Sequence, residues 1–326
     1  MREENKIDRR AFVVSGLSVA ALYPAAAQAQ AYPSKDVHFV LGYAPGSGPD
    51  VIARFFAEKL RPVLKTVVVE NKPGAGGNIA AEYVARAKPD GYTLHPTGGG
   101  SLAASPATYK KMSFDVANDL TMVAMFSRQP TLMVVGPNSP VKTLADLTKV
   151  LREKGDKASY GTAFPTARVL GSLYADSIGA KPLDVQYRTS ADWITDLGNG
   201  ALDFAFIDSA SGVGHANAGR VRIIAVSTGE RSAAMPQYPT MREQGFDIDI
   251  ASWWSVFAPA RTPAAILDPL HGWITDVVRT DDARRFLFSI GNEPWPMSRA
   301  DAQAFYLKEI KDWADYFRRA GIEKQG

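Results

Sequence analysis

Gly42-Tyr-Ala-Pro-Gly-Ser-Gly-Pro-Asp50 lies between an extended apolar run, Val37–Leu41, and a helical pattern carried by Val51, Ile52, Phe55, Phe56 and Leu60. A turn of small residues from strand to helix leaves the first backbone N–H groups of the helix without partners. Those donors, together with the positive end of the helix dipole, form a site for an anion. Pro49 suits the first helical turn, where no N–H is needed. Pro73-Gly-Ala-Gly-Gly-Asn78 repeats the arrangement ahead of a second helical pattern, Ile79–Ala87. Two such turns in consecutive strand–helix units predict a chain that holds a small anion on its backbone.

Outward from these turns, strands and helices alternate. Strand candidates are Val37–Leu41, Thr66–Glu70, Thr93–Pro96, Thr121–Phe126, Thr131–Val135, Ser159–Thr162, Leu202–Ile207, Ile223–Ser227 and Trp253–Ala258. The alternation predicts an α/β fold with mostly parallel sheets. Thr143 with Asp146, and Ser298 with Asp301, have the spacing of capping boxes. Thr262-Pro263 opens another helix, and a last helix carries Phe305, Ile310, Trp313 and Phe317 before Gly321 stops it.

The N-terminus reads as an export signal over residues 1–31. Arg9-Arg10 precede a short apolar stretch, Ala11–Leu22, and an alanine-rich end with cleavage expected after Ala29 or Ala31. The apolar stretch falls short of the ~20 residues a membrane span needs. The paired arginines read either as a twin-arginine signal or as an ordinary basic n-region. The chain has no cysteine, which fits an exported protein without disulfides and removes the lipid-anchored alternative. A net charge of +3 with no basic cluster argues against a nucleic-acid partner. No membrane anchor is expected, and the mature chain is read as soluble and periplasmic.

Catalytic signatures are weak. Gly99-Gly-Ser101-Leu-Ala103 lacks the last glycine of a nucleophile elbow. His38, His95, His215 and His271 are scattered without metal-ligand spacing. No metal, no cofactor and no enzymatic activity are expected.

A set of motifs occurs in order along the whole chain after residue 31. They include Tyr32-Pro-Ser-Lys35, Pro45-Gly46 with Asp50, Val69-Glu-Asn-Lys-Pro-Gly-Ala-Gly-Gly-Asn78 and Lys88-Pro-Asp-Gly-Tyr-Thr-Leu94. Tyr160-Gly-Thr162, Tyr187 with Ser190, Asp196-Leu-Gly-Asn-Gly200, Pro239-Thr240, Ser252-Trp253 and Ala258-Pro-Ala-Arg-Thr-Pro263 follow. In these the chain resembles the Bug-type extracytoplasmic solute receptors, the binding subunits of tripartite tricarboxylate transporters. The resemblance implies a two-lobed periplasmic-binding-protein fold with the ligand in a cleft between lobes. Residues 32–126 plus 250–326 would form the first lobe and 127–249 the second. It implies a monomer that captures a small organic acid, an aliphatic di- or tricarboxylate or an aromatic acid, and presents it to membrane transporter subunits. A receptor for a sensor kinase is the alternative, and a secreted hydrolase or isomerase a more distant one.

The resemblance also assigns a site. The ligand carboxylate would meet Tyr43, Ala44, Gly46, Ser47 and Gly48 on the first loop and Gly76, Gly77 and Asn78 on the second. Ser101, Thr162, Ala163, Phe164, Thr166, Thr189 and Asp208 complete the expected set. Ser47 and Asn78 read equally as helix caps. Asp50 is expected to serve its helix N-terminus, because a carboxylate facing a carboxylate repels. Phe164-Pro165, Arg168, Trp193 and Trp254 depart from the family pattern. The two tryptophans read as walls of a larger apolar pocket or as core. Arg168 reads as a partner for a second carboxylate or as a solvated helix-end arginine.

Overall fold

The computed structural model describes residues 32–325, which belong to one compact unit. The candidate export signal lies outside the described residues. The chain forms β1 (Val37–Leu41), α1 (Gly48–Leu64), β2 (Val67–Asn71), α2 (Asn78–Ala85), β3 (Thr93–Gly98), α3 (Gly99–Thr108) and β4 (Leu120–Val135). Next come α4 (Leu144–Lys154), β5 (Ser159–Thr162), α5 (Pro165–Ser177), β6 (Leu183–Gln186), α6 (Ser190–Gly198), β7 (Phe204–Asp208) and α7 (Ser209–Asn217). β8 (Arg222–Val226), β9 (Ala251–Pro259), α8 (Ala264–Val278), α9 (Asp281–Ser289), β10 (Glu293–Pro294) and α10 (Arg299–Arg319) complete it.

The strands form one sheet in the order β2-β1-β3-β9-β4-β7-β5-β6, with β8 and β10 also paired to β4. The two ends are parallel: β1 with β2 and β3, and β5 with β6 and β7. The centre is antiparallel, because β9 and β4 return through the middle. The sheet is therefore mixed, with parallel βα units confined to its outer strands. β1 buries every residue but His38, as a strand covered on both faces must. On α1, Ile52, Phe56, Leu60 and Leu64 recur every four residues and are at most 1% exposed. Phe56 stacks on Phe126 of β4 at 4.1 Å between ring centres, which ties α1 to the centre of the sheet.

The two expected strands Thr121–Phe126 and Thr131–Val135 are one, β4, sixteen residues long. Up to Pro130 it pairs with β9; from Thr131 it pairs with β7. Pro130 lacks an N–H and sits where the partner changes, so the ladder tolerates it. A buried polar cluster marks the same place. The Ser209 hydroxyl lies 2.9 Å from Gln129 Oε1 and 2.7 Å from Asn292 Oδ1, and Asn292 Nδ2 reaches Ser127 Oγ at 3.3 Å. One hydroxyl proton can satisfy only one of those amide oxygens, so the other amide presents its N–H to Ser209.

The caps are partly as expected. At α4, Asp146 N–H donates to Thr143 Oγ1 at 3.1 Å and Thr143 N–H to Asp146 Oδ2 at 3.0 Å, a full capping box. At α10, Ser298 Oγ accepts from Asp301 N–H at 3.1 Å, but its proton goes to the Asp301 carboxylate at 2.6 Å, leaving half a box.

Candidate functional site

In the parallel parts of the sheet each strand runs into a helix at its C-terminal end, where open α/β sheets carry their ligands. The turns leading into α1, α2, α3, α5, α6 and α7 all border one cavity of about 1230 Å³. Six helix N-termini thus face a common space. Each presents the positive end of a helix dipole, although the Thr189–Asp192 box and the Asp208 carboxylate take N–H groups at α6 and α7, so the cavity favours an anion mainly through the uncapped helices.

The first loop is held by Asp50, which is 2% exposed. Its carboxylate accepts from Gly46 N–H at 2.9 Å, Arg54 Nε–H at 2.8 Å and Asn71 Nδ2–H at 2.8 Å. Burial would raise the Asp50 pKa, but Arg54, Gly46 and Asn71 together hold it below the usual carboxylate range. Asp50 is a brace for the loop. Ser47 does not cap α1 with its side chain; its hydroxyl donates to Ala44 O at 2.7 Å. In the second loop, Gly77 N–H donates to Gly74 O at 2.9 Å and Asn78 N–H to Ala75 O. Several N–H groups that the glycine pattern offered are therefore spent inside the loops. The donors left for a ligand come mainly from the first helical turns, such as those of Gly48, Gly100 and Thr166.

Fourteen of the fifteen expected residues line the cavity: Tyr43, Ala44, Gly46, Ser47, Gly48, Gly76, Gly77, Ser101, Thr162, Ala163, Phe164, Thr166, Thr189 and Asp208. Asn78 does not. Its Oδ1 accepts the Ser105 hydroxyl proton at 2.8 Å, which turns the side chain toward α3.

Tyr43 and Trp254 form an apolar wall, their rings edge to face at 5.6 Å. The Tyr43 hydroxyl accepts from Gly98 N–H at 3.2 Å, and burial raises its pKa. Trp253 also borders the cavity; its Nε1–H donates to Glu309 Oε2 at 3.0 Å. Trp193 is fully buried among Leu132, Val134, Leu197 and Ile207 and is core. Asp208 caps α7, accepting from Ser211 N–H at 2.9 Å. It is partly accessible to the cavity yet deep in the molecule, and burial pushes its carboxyl pKa up. Gly48 passes close by: a Cβ there would lie 2.9 Å from Ala210 Cβ and 3.3 Å from Asp208 Oδ1.

Three further features lay beyond sequence reasoning. Arg168 is not solvated; its side chain is 18% exposed and its Nε–H donates to Asp184 Oδ2 at 2.8 Å. His215 and Arg220 extend the wall along α7 and past its end. Gln325, near the C-terminus, also lines the cavity. Its backbone pairs with Thr108 O and Lys110 N–H, and its Nε2–H donates to Gln186 Oε1 at 3.1 Å. Nothing local in the sequence signals a contact between residues 139 positions apart. Among the described residues no group of His, Cys, Asp and Glu is arranged to hold a metal, and no helix is long and apolar enough to cross a membrane.

The family model described as the tripartite tricarboxylate transporter family receptor matches residues 52–322. A UPF0065 protein of Bordetella bronchiseptica is 33% identical over 307 residues, covering 93% of this chain and 91% of the relative. The solved structure "R. palustris Rpa4515 with adipate" superimposes with a TM-score of 0.85 at 30% identity, covering 90% of this chain and all of that one. The periplasmic binding protein BugD does so with a TM-score of 0.82 at 28% identity, covering 90% of this chain and 100% of that one. The fold is thus that of the periplasmic binding proteins, and the chain belongs to the tripartite tricarboxylate transporter receptor family, the Bug-type solute-binding receptors.

Proposed function

We propose that this receptor captures a small organic carboxylate in the cavity, without chemical conversion, and delivers it to the membrane subunits of a tripartite tricarboxylate-type transporter. The observation that carries this reading is the convergence of six helix N-termini on one cavity. Such a site binds a carboxylate through backbone donors. The similar R. palustris protein is described with adipate, an aliphatic di-acid. The aromatic wall of Tyr43 and Trp254 and the volume of about 1230 Å³ leave room for aromatic acids as well. In this reading the protein is exported to the periplasm by its N-terminal signal. Residues 32–126 with 250–326 act as one lobe and 127–249 as the other. The lobes close about the point where β4 changes partners, beside the polar cluster of Ser127, Gln129, Ser209 and Asn292.

Calorimetry of the purified mature protein against aliphatic and aromatic acids tests the proposal. Saturable binding with the acid recovered unchanged is expected. Turnover of the bound acid at a catalytic rate, or no response to any acid, overturns it.

A further inference from the structure

Arg168 stands in the first turns of α5 with its guanidinium at the cavity wall. Its orientation is fixed from behind. Thr162 Oγ1–H donates to Asp184 Oδ1 at 2.6 Å, and Asp184 Oδ2 takes the Arg168 Nε–H at 2.8 Å. Thr162 is 1% exposed, so the chain Thr162–Asp184–Arg168 is anchored in the protein interior. The contact uses one edge of the guanidinium. Among the described residues, Asp184 is the one carboxylate within ion-pair distance of Arg168, and the four Nη–H donors have no acceptor within hydrogen-bond distance. A cation fixed through Nε presents its two Nη groups as a fork, the geometry that grips a carboxylate at two points.

The position is separate from the glycine loops. Arg168 and Asp184 lie on the β5–β6 side of the cavity, near Gln186, whose side chain meets Gln325. The loops of residues 42–50 and 73–78 follow β1 and β2 at the other end of the sheet order.

We infer that Arg168, held by Asp184 and Thr162, is the anchor for a second anionic group, so that the receptor selects acids carrying two carboxylates over those carrying one. The inference rests on the carboxylate-binding reading above and adds a selectivity to it. The pair with Asp184 is neutral overall, so the empty cavity carries no large charge penalty. A second carboxylate then gains two charge-assisted hydrogen bonds from donors that are already oriented.

The test is calorimetry of wild-type protein and of Arg168→Gln and Arg168→Lys with linear di-acids from succinate to sebacate, each beside its monomethyl ester. Thermal melts of the empty proteins check that the variants fold. For the best-fitting length the wild type should favour the di-acid over its ester by at least about tenfold. Arg168→Gln should abolish that preference while changing ester affinity by less than about threefold, and Arg168→Lys should keep part of it, as a point charge without the fork. If di-acid and ester weaken equally in Arg168→Gln, or if the preference survives there, Arg168 is a structural pair and the inference fails while carboxylate capture stands. If neither di-acids nor esters bind the wild type, both fail.

Discussion

Gly42 and Gly77 back onto each other: a Cβ on Gly42 would lie 2.4 Å from Gly77 Cα, closer than any side chain tolerates. The contact joins the two small-residue loops that close one end of the cavity. The contact requires glycine at 42; at 77 a Cβ would meet Gly42 Cα only at 4.0 Å, and it is the φ of +100° that requires glycine there. Gly42→Ala should push the loops apart, destabilise the fold by about 1–3 kcal/mol and weaken acid binding at least about tenfold. Gly46→Ala is the comparison, because a Cβ there meets nothing within 4 Å and only the backbone angle of +77° is strained. Its loss should be smaller, about 1 kcal/mol. Denaturant melts and calorimetry separate the two; equal effects would refute the role given to the loop contact.

Asp50 should matter for stability more than for ligand choice. Asp50→Ala leaves the Gly46 N–H and the Asn71 amide without their acceptor, a loss of about 2 kcal/mol. The pH dependence has a definite sign. The folded pKa lies below the ordinary aspartate value of 3.8, so Asp50 stabilises the fold above that pH and its contribution is lost as pH falls through the lower, folded value. Asp50→Asn should remove that part of the acid limb in urea melts between neutral and strongly acidic pH. An unchanged acid limb would contradict it.

His95 and Asp208 should act in other pH windows. His95 is buried, its Nδ1–H donates to Val40 O at 2.7 Å, and burial lowers its pKa from 6.5 to about 4. The unfolded chain takes up a proton first, so stability should decline as pH drops from about 6.5 toward 4, by an amount on the order of 3 kcal/mol. His95→Asn keeps a donor for Val40 O and should flatten that decline. Asp208 shifts the opposite way from Asp50. Its raised pKa means that the empty protein is most stable below the unfolded value and loses stability as pH rises through the folded one. Asp208→Asn should therefore raise the melting temperature of the ligand-free protein at neutral pH and leave it unchanged in acid. A lowered neutral-pH melting temperature would show that the ionised carboxylate stabilises the empty site.

Much of this arrangement is local and therefore readable from sequence. The bounds of β1 and β5, the Thr143–Asp146 capping box and both glycine turns follow from neighbours a few residues apart. Other features needed long-range geometry. Pro130 looks like a strand break until β9 is seen to end its pairing there. β6 hides because it is a short edge strand, with Leu183 63% exposed and no apolar run. Trp193 and Trp254 look alike in sequence; Trp193 lies on the face of α6 that packs on the core, and Trp254 on β9 borders the cavity, which only the tertiary packing decides. The glycine loops offered N–H donors correctly in number but not in availability, since Asp50 and the loops' own carbonyls take several.

The C-terminal tail offers a last test, of closure. Gln325 is tied by backbone hydrogen bonds to Thr108 and Lys110, just after α3, and by its side chain to Gln186 at the end of β6. α3 follows β3, on the far side of the central strands β9 and β4 from β6, which is an edge strand. Gln325 therefore borders the cavity and joins elements from both sides of the central strands. Removing residues 323–326 deletes those three hydrogen bonds, keeps Ile322 packed on the core and leaves α10 intact to Arg319. Each is worth about 1 kcal/mol where water competes, so the bound state should loosen without the protein unfolding. Ligand dissociation in stopped-flow should quicken by about tenfold, with association little changed, because differences among variants of one site appear mainly in the off-rate. Gln325→Ala breaks only the bond to Gln186 and should give a smaller increase in the same direction. If truncation leaves the off-rate untouched while melts show a folded protein, the tail is packing and does not restrain the cleft.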